Sequence, residues 1–232
     1  MTNSNNELSI NQNKLKLLSS SAYVFSPIYA IHFESPTLAL VYNQLLYRAT
    51  SKGKGNKLID NDVLSVRFSY TKLAKMFGYS RRWMVKVISE LVTKDAIEVQ
   101  KNGRVNTLVF KKIKLNVEET TRNNSKMLVF PELLNQVSLL EAIALQQIHI
   151  RHCKKDGSFW VVRSYMQWQE EVFMYMSIST VKRLFKKLEN KKLILVQKYD
   201  DELGYVNSYR VNYQKIASLL NINVKNHLGD SL

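Results

Sequence analysis

The chain has 232 residues, enough for one large domain or two of ordinary size, and with 45% hydrophobic and 23% charged residues it is not composed like a chain too polar to fold. Thirty-four Lys and Arg against nineteen Asp and Glu leave a formal charge of +15, a surplus that favours a polyanionic partner or an anionic membrane surface over an acidic substrate. The single Cys153 excludes an internal disulfide and a cysteine-built zinc site, and the best apolar stretch, Ala22 to Phe33, falls short of the ~20 residues of a membrane span; with an Asn-rich start that lacks a signal peptide's basic region, the expectation is a cytoplasmic protein off the membrane.

Residues 1–20 are expected to form a mobile tail, since their first thirteen are mostly Asn, Ser and Gln. A first domain then runs over residues 21–115. Pro36 opens a helix to about Ala49 with Leu38, Val41, Leu45 and Leu46 on one side, and the loop "SKGKGN" ends it. After an extended segment at Val66 to Phe68, Thr71 to Phe77 reads as a short helix, Gly78 as a turn and Ser80 as the cap of a further helix. Segments Ile97 to Lys101 and Thr107 to Ile113 flank Asn102-Gly103, the strongest short hairpin signal.

A polar stretch at 116–126 is read as a linker, followed by a second domain over 127–221 and a C-terminal tail over 222–232. The second domain repeats the order: helix Ser138 to about Arg151, strand Phe159 to Arg163, helix Tyr165 to Phe173, helix Ser177 to Lys191, strands Leu193 to Tyr199 and Tyr205 to Val211 around "DDELG", and a last helix Tyr213 to Leu220. A shift of 97 positions lays Met84, Val87, Ile88, Leu91 and Ile97 on Val181, Leu184, Phe185, Leu188 and Ile194, a helical i, i+3, i+4, i+7 stripe that runs into a strand. The same shift lays Ile31 and Phe33 on Leu128 and Phe130, so two like domains in tandem are expected.

Helices followed by a β-hairpin in this order predict an α+β fold of two winged-helix domains, a version of the helix-turn-helix in which the third helix can enter the major groove and the hairpin wing lies over backbone or minor groove. Winged helices also dock proteins, so the exposed faces have to decide. From Lys72 to Lys86 there are five bases and no acid: Lys72, Lys75, Arg81, Arg82 and Lys86. With the apolar stripe turned inward, the third helix shows Arg81, Arg82, Val85, Lys86 and Ser89, while Ser80 and the helix N-terminus can hold a phosphate. Arginine forks onto guanine O6 and N7. The first wing adds Lys101, Asn102 and Arg104, the last placed to enter a narrow minor groove. In the second domain the matching face carries Ser179, Thr180, Lys182, Arg183, Lys186 and Lys187. Its wing tip, Asp200, Asp201 and Glu202, repels phosphate, so that wing either faces solvent, the other domain or a protein, or belongs to a domain that binds DNA weakly.

Other constellations favour structural readings. Trp160, Tyr165, Trp168, Phe173 and Tyr175 read as core more than as a stacking platform, "SKGKGNK" lacks the spacing of a phosphate loop, and His149, His152 and Cys153 read as a basic helix end more than as a metal site. No catalytic residue, metal or cofactor is expected, and the chain is read as non-enzymatic.

The segment "SYMQWQEEVFMYMSISTVKRLFKKLENKKLI", Ser164 to Ile194, resembles one found in replication initiation and replisome-organiser proteins of phages and plasmids of low-GC Gram-positive bacteria, where a Trp-Gln-Glu helix precedes a Ser-initiated basic helix. Here those positions are Trp168, Gln169, Glu170, Ser177, Ser179, Thr180, Lys182, Arg183, Leu188, Glu189 and Ile194. The plan of two winged helices is also similar to that of iteron-binding plasmid initiators. The resemblance implies binding to double-stranded DNA in replication initiation, with helicase or its loader among the partners and homodimerisation open. A transcriptional regulator using the same surfaces and a winged-helix interaction scaffold are the alternatives.

Overall fold

The structure is a computed structural model that describes residues 22–50, 58–60, 63–102, 105–113, 115, 126–152, 160–201 and 204–221. The described residues form helices with three small antiparallel sheets, an α+β fold. They divide into two compact units, one of Tyr23–Pro131 and one that takes Ala22 together with the described residues from Glu132 onward.

The first unit opens with β1 (Tyr23–Phe25), whose Tyr23 and Phe25 are buried. Pro27 starts α1 (Pro27–Phe33) at a position where its missing N–H costs nothing, and the chain leaves that helix through Glu34 at φ 53°. In α2 (Pro36–Thr50) every residue from Leu38 to Leu45 is buried, as a helix enclosed on all sides requires. Strands β2 (Leu58–Asp60) and β3 (Val63–Phe68) precede α3 (Tyr70–Phe77) and α4 (Arg81–Thr93); β4 (Ile97–Asn102) and β5 (Val105–Phe110) follow. The four strands order as β2-β3-β5-β4, with Leu108 opposite both Val66 and Val99. Val66 and Leu108 then pack with Leu73, Phe77, Met84, Ile88, Leu91 and Ile97, each no more than 1% exposed, as the core beneath α3 and α4.

The second unit holds α5 (Pro131–Leu134, its first residue shared with the first unit), α6 (Leu139–His152), β7 (Val161–Val162), α7 (Tyr165–Glu171), α8 (Ile178–Asn190), β8 (Ile194–Asp201), β9 (Gly204–Val211) and α9 (Tyr213–Leu219). Its sheet orders as β7-β9-β8, and Tyr209 lies opposite Val161 on one side and Val196 on the other. Phe185 on α8 sits 5.1 Å from the Trp168 ring and 4.8 Å from that of Tyr209, tying α7, α8 and the sheet into one aromatic core.

The 97-position register holds bond for bond across α4 and α8. Ser80 caps one and Ser177 the other, accepting from the N–H of Trp83 and Thr180 at 3.2 and 3.3 Å. Both helices end through a left-handed residue, Asp95 at φ 55° and Lys192 at φ 57°. The next N–H then returns to the helix, Ala96 to the Leu91 carbonyl and Leu193 to the Leu188 carbonyl, each at 3.0 Å. Toward the front the register fails. Ile31 and Phe33 lie in α1, whereas Leu128 lies in β6 (Met127–Val129) and Phe130 just after it. The segments that do correspond are each a strand, one residue, a proline and a helix, Pro27 matching Pro131 at a shift of 104. Short apolar runs do not distinguish helix from strand, so spacing alone selected the wrong equivalence.

Strands β1 and β6 pair antiparallel, Tyr23 with Val129, Val24 with Leu128 and Phe25 with Met127. By the 104-position shift the central pair joins two equivalent residues. Residues 127–129, expected to open the second domain, therefore lie in the first unit. The expected tails at 1–20 and 222–232, the linker at 116–125 and the loop at 51–56 lie outside the described residues.

Candidate nucleic-acid interface

Met84, Val87, Ile88 and Leu91 are 0–3% exposed and fix the rotation of α4. The other side is then left to water: Arg81, Arg82, Val85, Lys86 and Ser89 are all exposed, as are Lys72 and Lys75 on α3. Gly78, at φ 70°, closes α3 and turns the chain into Ser80 within two residues, which keeps the two basic helices adjacent. The Ser80 oxygen serves as the cap, leaving its O–H as a donor toward an anion. Lys86 lies 3.8 Å from Glu90 with both side chains largely solvated, a pair that solvent screens. Among the described residues no carboxylate reaches ion-pair distance of Lys72, Lys75, Arg81 or Arg82. Ser89 has its carbonyl engaged by the Thr93 hydroxyl at 3.0 Å.

On α8 the buried seam is Val181, Leu184, Phe185 and Leu188, and Ser179, Lys182, Arg183, Lys186 and Lys187 are exposed. These cations differ in what they meet. Lys186 holds Glu189 at 2.9 Å, and that hydrogen bond and charge raise the ammonium above its usual range. Lys187 and its neighbour Lys191 reach Glu141 on α6 at 3.6 and 2.7 Å. Lys182 and Arg183 meet no carboxylate among the described residues. Thr180 is half-buried, its hydroxyl 2.9 Å from that of Ser177 and accepting from Arg183 at 3.3 Å, so it acts within the cap. The Ser179 hydroxyl likewise lies 2.9 Å from that of Ser177.

Of the residues expected on a first wing, Lys101 is exposed near the end of β4, and Arg104 lies outside the described residues. Glu202 lies outside them too, while Asp200 and Asp201 fall in β8. Trp168 and Phe173 are no more than 1% exposed and His149 is buried against Tyr213, Nδ1 to hydroxyl 2.8 Å. Trp168, quoted above for a family resemblance, is thus a core residue. Cys153 lies outside the described residues, and among those described no three His, Cys, Asp or Glu gather as metal ligands. Among the described residues no helix is long and apolar enough to cross a membrane.

Two features escaped the sequence reading. Tyr79 and Trp83 flank Ser80 with ring centroids 4.1 Å apart, a half-buried buttress for the start of α4 that their i, i+4 spacing would have shown. Glu141 is 1% exposed and also accepts from the Ser138 N–H at 2.8 Å, and the Ser-x-x-Glu spacing of a capping box stands in the sequence. Burial pushes its carboxyl up, but Lys191 and the Ser138 hydrogen bonds outweigh this and leave it below the ordinary range.

No family model matches the chain, and no curated protein does.

Proposed function

We propose that this chain is a sequence-specific binder of double-stranded DNA, built of two tandem winged-helix modules, that acts in replication initiation of a phage or plasmid-type element. The observation that carries the reading is the pair of serine-capped helices α4 and α8, alike in core register and caps, each turning Arg or Lys side chains without nearby carboxylates to solvent. A cationic rod about 10–12 Å across matches a major groove about 12 Å wide. Arg81, Arg82 and Lys86 read bases from α4, and Lys182, Arg183 and Lys186 from α8. Lys72, Lys75 and Ser80 hold phosphates and set the register, and Lys101 and Arg104 extend the contact along the first wing. No bond is made or broken in this function. The assignment to replication, with helicase or loader as partner, draws on the resemblance of Ser164 to Ile194 alone.

Binding measured across a salt series tests the DNA reading: log K falls by about 0.9 per decade of salt for each phosphate neutralised, and a slope near zero refutes it. Replacing Arg81 and Arg82 together by Ala lowers affinity by about 1–3 kcal/mol per base-reading residue, whereas a protein-docking scaffold keeps its partner. Protection mapping on the element's own genome separates clustered repeats at an origin from a single operator before a gene, which is the outcome that favours a transcriptional regulator.

A further inference from the structure

Resting on the DNA-binding reading above, we propose that Val85 reads the 5-methyl group of a thymine. Val85 is 37% exposed in the middle of the basic face of α4, one turn after Arg81 and Arg82, beside Lys86 and one turn before Ser89. The buried seam of Met84, Val87, Ile88 and Leu91 is complete without it. A β-branched residue at a solvated helix position is a poorer helix former than Lys, Arg or Gln, and its methyl groups gain nothing from water. Every neighbour on that face donates hydrogen bonds or carries charge. The one apolar feature on the major-groove edges of the base pairs is the methyl group of thymine, so an aliphatic side chain among groove-facing cations has a single complement there.

The second module sharpens the assignment. Lys182 stands at the position of α8 that matches Val85, so methyl recognition belongs to the first helix and the two helices read unlike sequences. RNA lacks the methyl group and its major groove is too narrow for side chains to read, so the same contact favours DNA over RNA. Val92 supplies an internal control. It is 41% exposed on the same helix, but two turns on and past Glu90, beyond the basic stretch.

The test uses the full chain to select duplexes from a random library, and then the selected duplex with its thymines replaced one at a time by deoxyuridine, which removes the methyl group and nothing else. At one position within the α4 half of the site, loss of the methyl weakens the wild-type protein by about fourfold, the effect of exposing one buried methyl group. Val85→Ala weakens binding to the thymine duplex by a similar factor and is indifferent to deoxyuridine at that position. Val92→Ala behaves as wild type. A wild-type protein indifferent to every deoxyuridine, while binding the selected duplex with a steep salt dependence, overturns the inference and leaves the DNA reading standing. So does Val85→Ala retaining the full penalty. If no duplex is enriched, the DNA reading itself falls and this inference with it.

Discussion

A carboxylate at 1% exposure has to be met by charge and hydrogen bonds, and Glu141 is met by both: Lys191 at 2.7 Å, Lys187 at 3.6 Å and the Ser138 backbone at 2.8 Å. Because its folded pKa is depressed, the stability it contributes is present above the unfolded value near 4.5 and is lost as pH falls through the lower folded value. Glu141→Gln is therefore expected to be less stable than wild type at pH 7, and the gap is expected to close as pH falls through the lowered folded value; urea unfolding followed from pH 7 into acid measures it. Glu141→Ala also removes the cap acceptor and is expected to cost about 1–3 kcal/mol at pH 7. The cap was legible in the sequence as Ser138 and Glu141 three apart, but the lysines were not, since nothing local says that α8 crosses the start of α6. The solvent side of α4 was legible for the opposite reason. Four apolar residues at helical spacing fix its rotation, and Arg81, Arg82, Lys86 and Ser89 fall on the side left over.

At the scale of elements, α4 and α8 share a way of starting and of stopping. Ser80→Ala and Ser177→Ala each remove a capping oxygen and are expected to cost about 1 kcal/mol in urea unfolding, with Gly in place of Ala costing only a few tenths. The stops run against side-chain preference, because Asp95 and Lys192 occupy left-handed backbone where glycine is unstrained. Lys192→Gly is accordingly expected to raise stability by about 0.5–1 kcal/mol, read from the urea midpoint. Asp95 is a poorer site for the same change, since its carboxylate holds Lys111. These helices and their hairpins were legible because caps, Gly78 and the 3.6-residue period agreed with one another. Strands β1, β2 and β6 were missed because each spans only three residues, too few for an alternation to show.

For the whole molecule, the proposal distributes contact between two basic helices, and the charges can be removed from one at a time. Replacing the phosphate-holding Lys72 and Lys75 by Ala is expected to lower the magnitude of the salt slope by up to about 1.8, whereas replacing Arg81 and Arg82, or Lys182 and Arg183, is expected to cost about 1–3 kcal/mol per residue on the preferred duplex and to relax sequence preference. A pair whose removal changes neither the affinity for the preferred duplex nor the sequence preference lies off the DNA. The likeness of α4 and α8 was readable from their core stripe, whereas the match of Pro27 with Pro131 was not, because it lies at a shift of 104 instead of 97. That displaced match carries a consequence for biosynthesis. Val24 finds its partner in Leu128, 104 positions downstream, so β1 waits unpaired for roughly 5–20 s while a ribosome adding about 5–20 residues per second makes the rest of the first unit. A gene fragment that stops before residue 127 leaves β1 without this mate, and one cut after Pro131 keeps it.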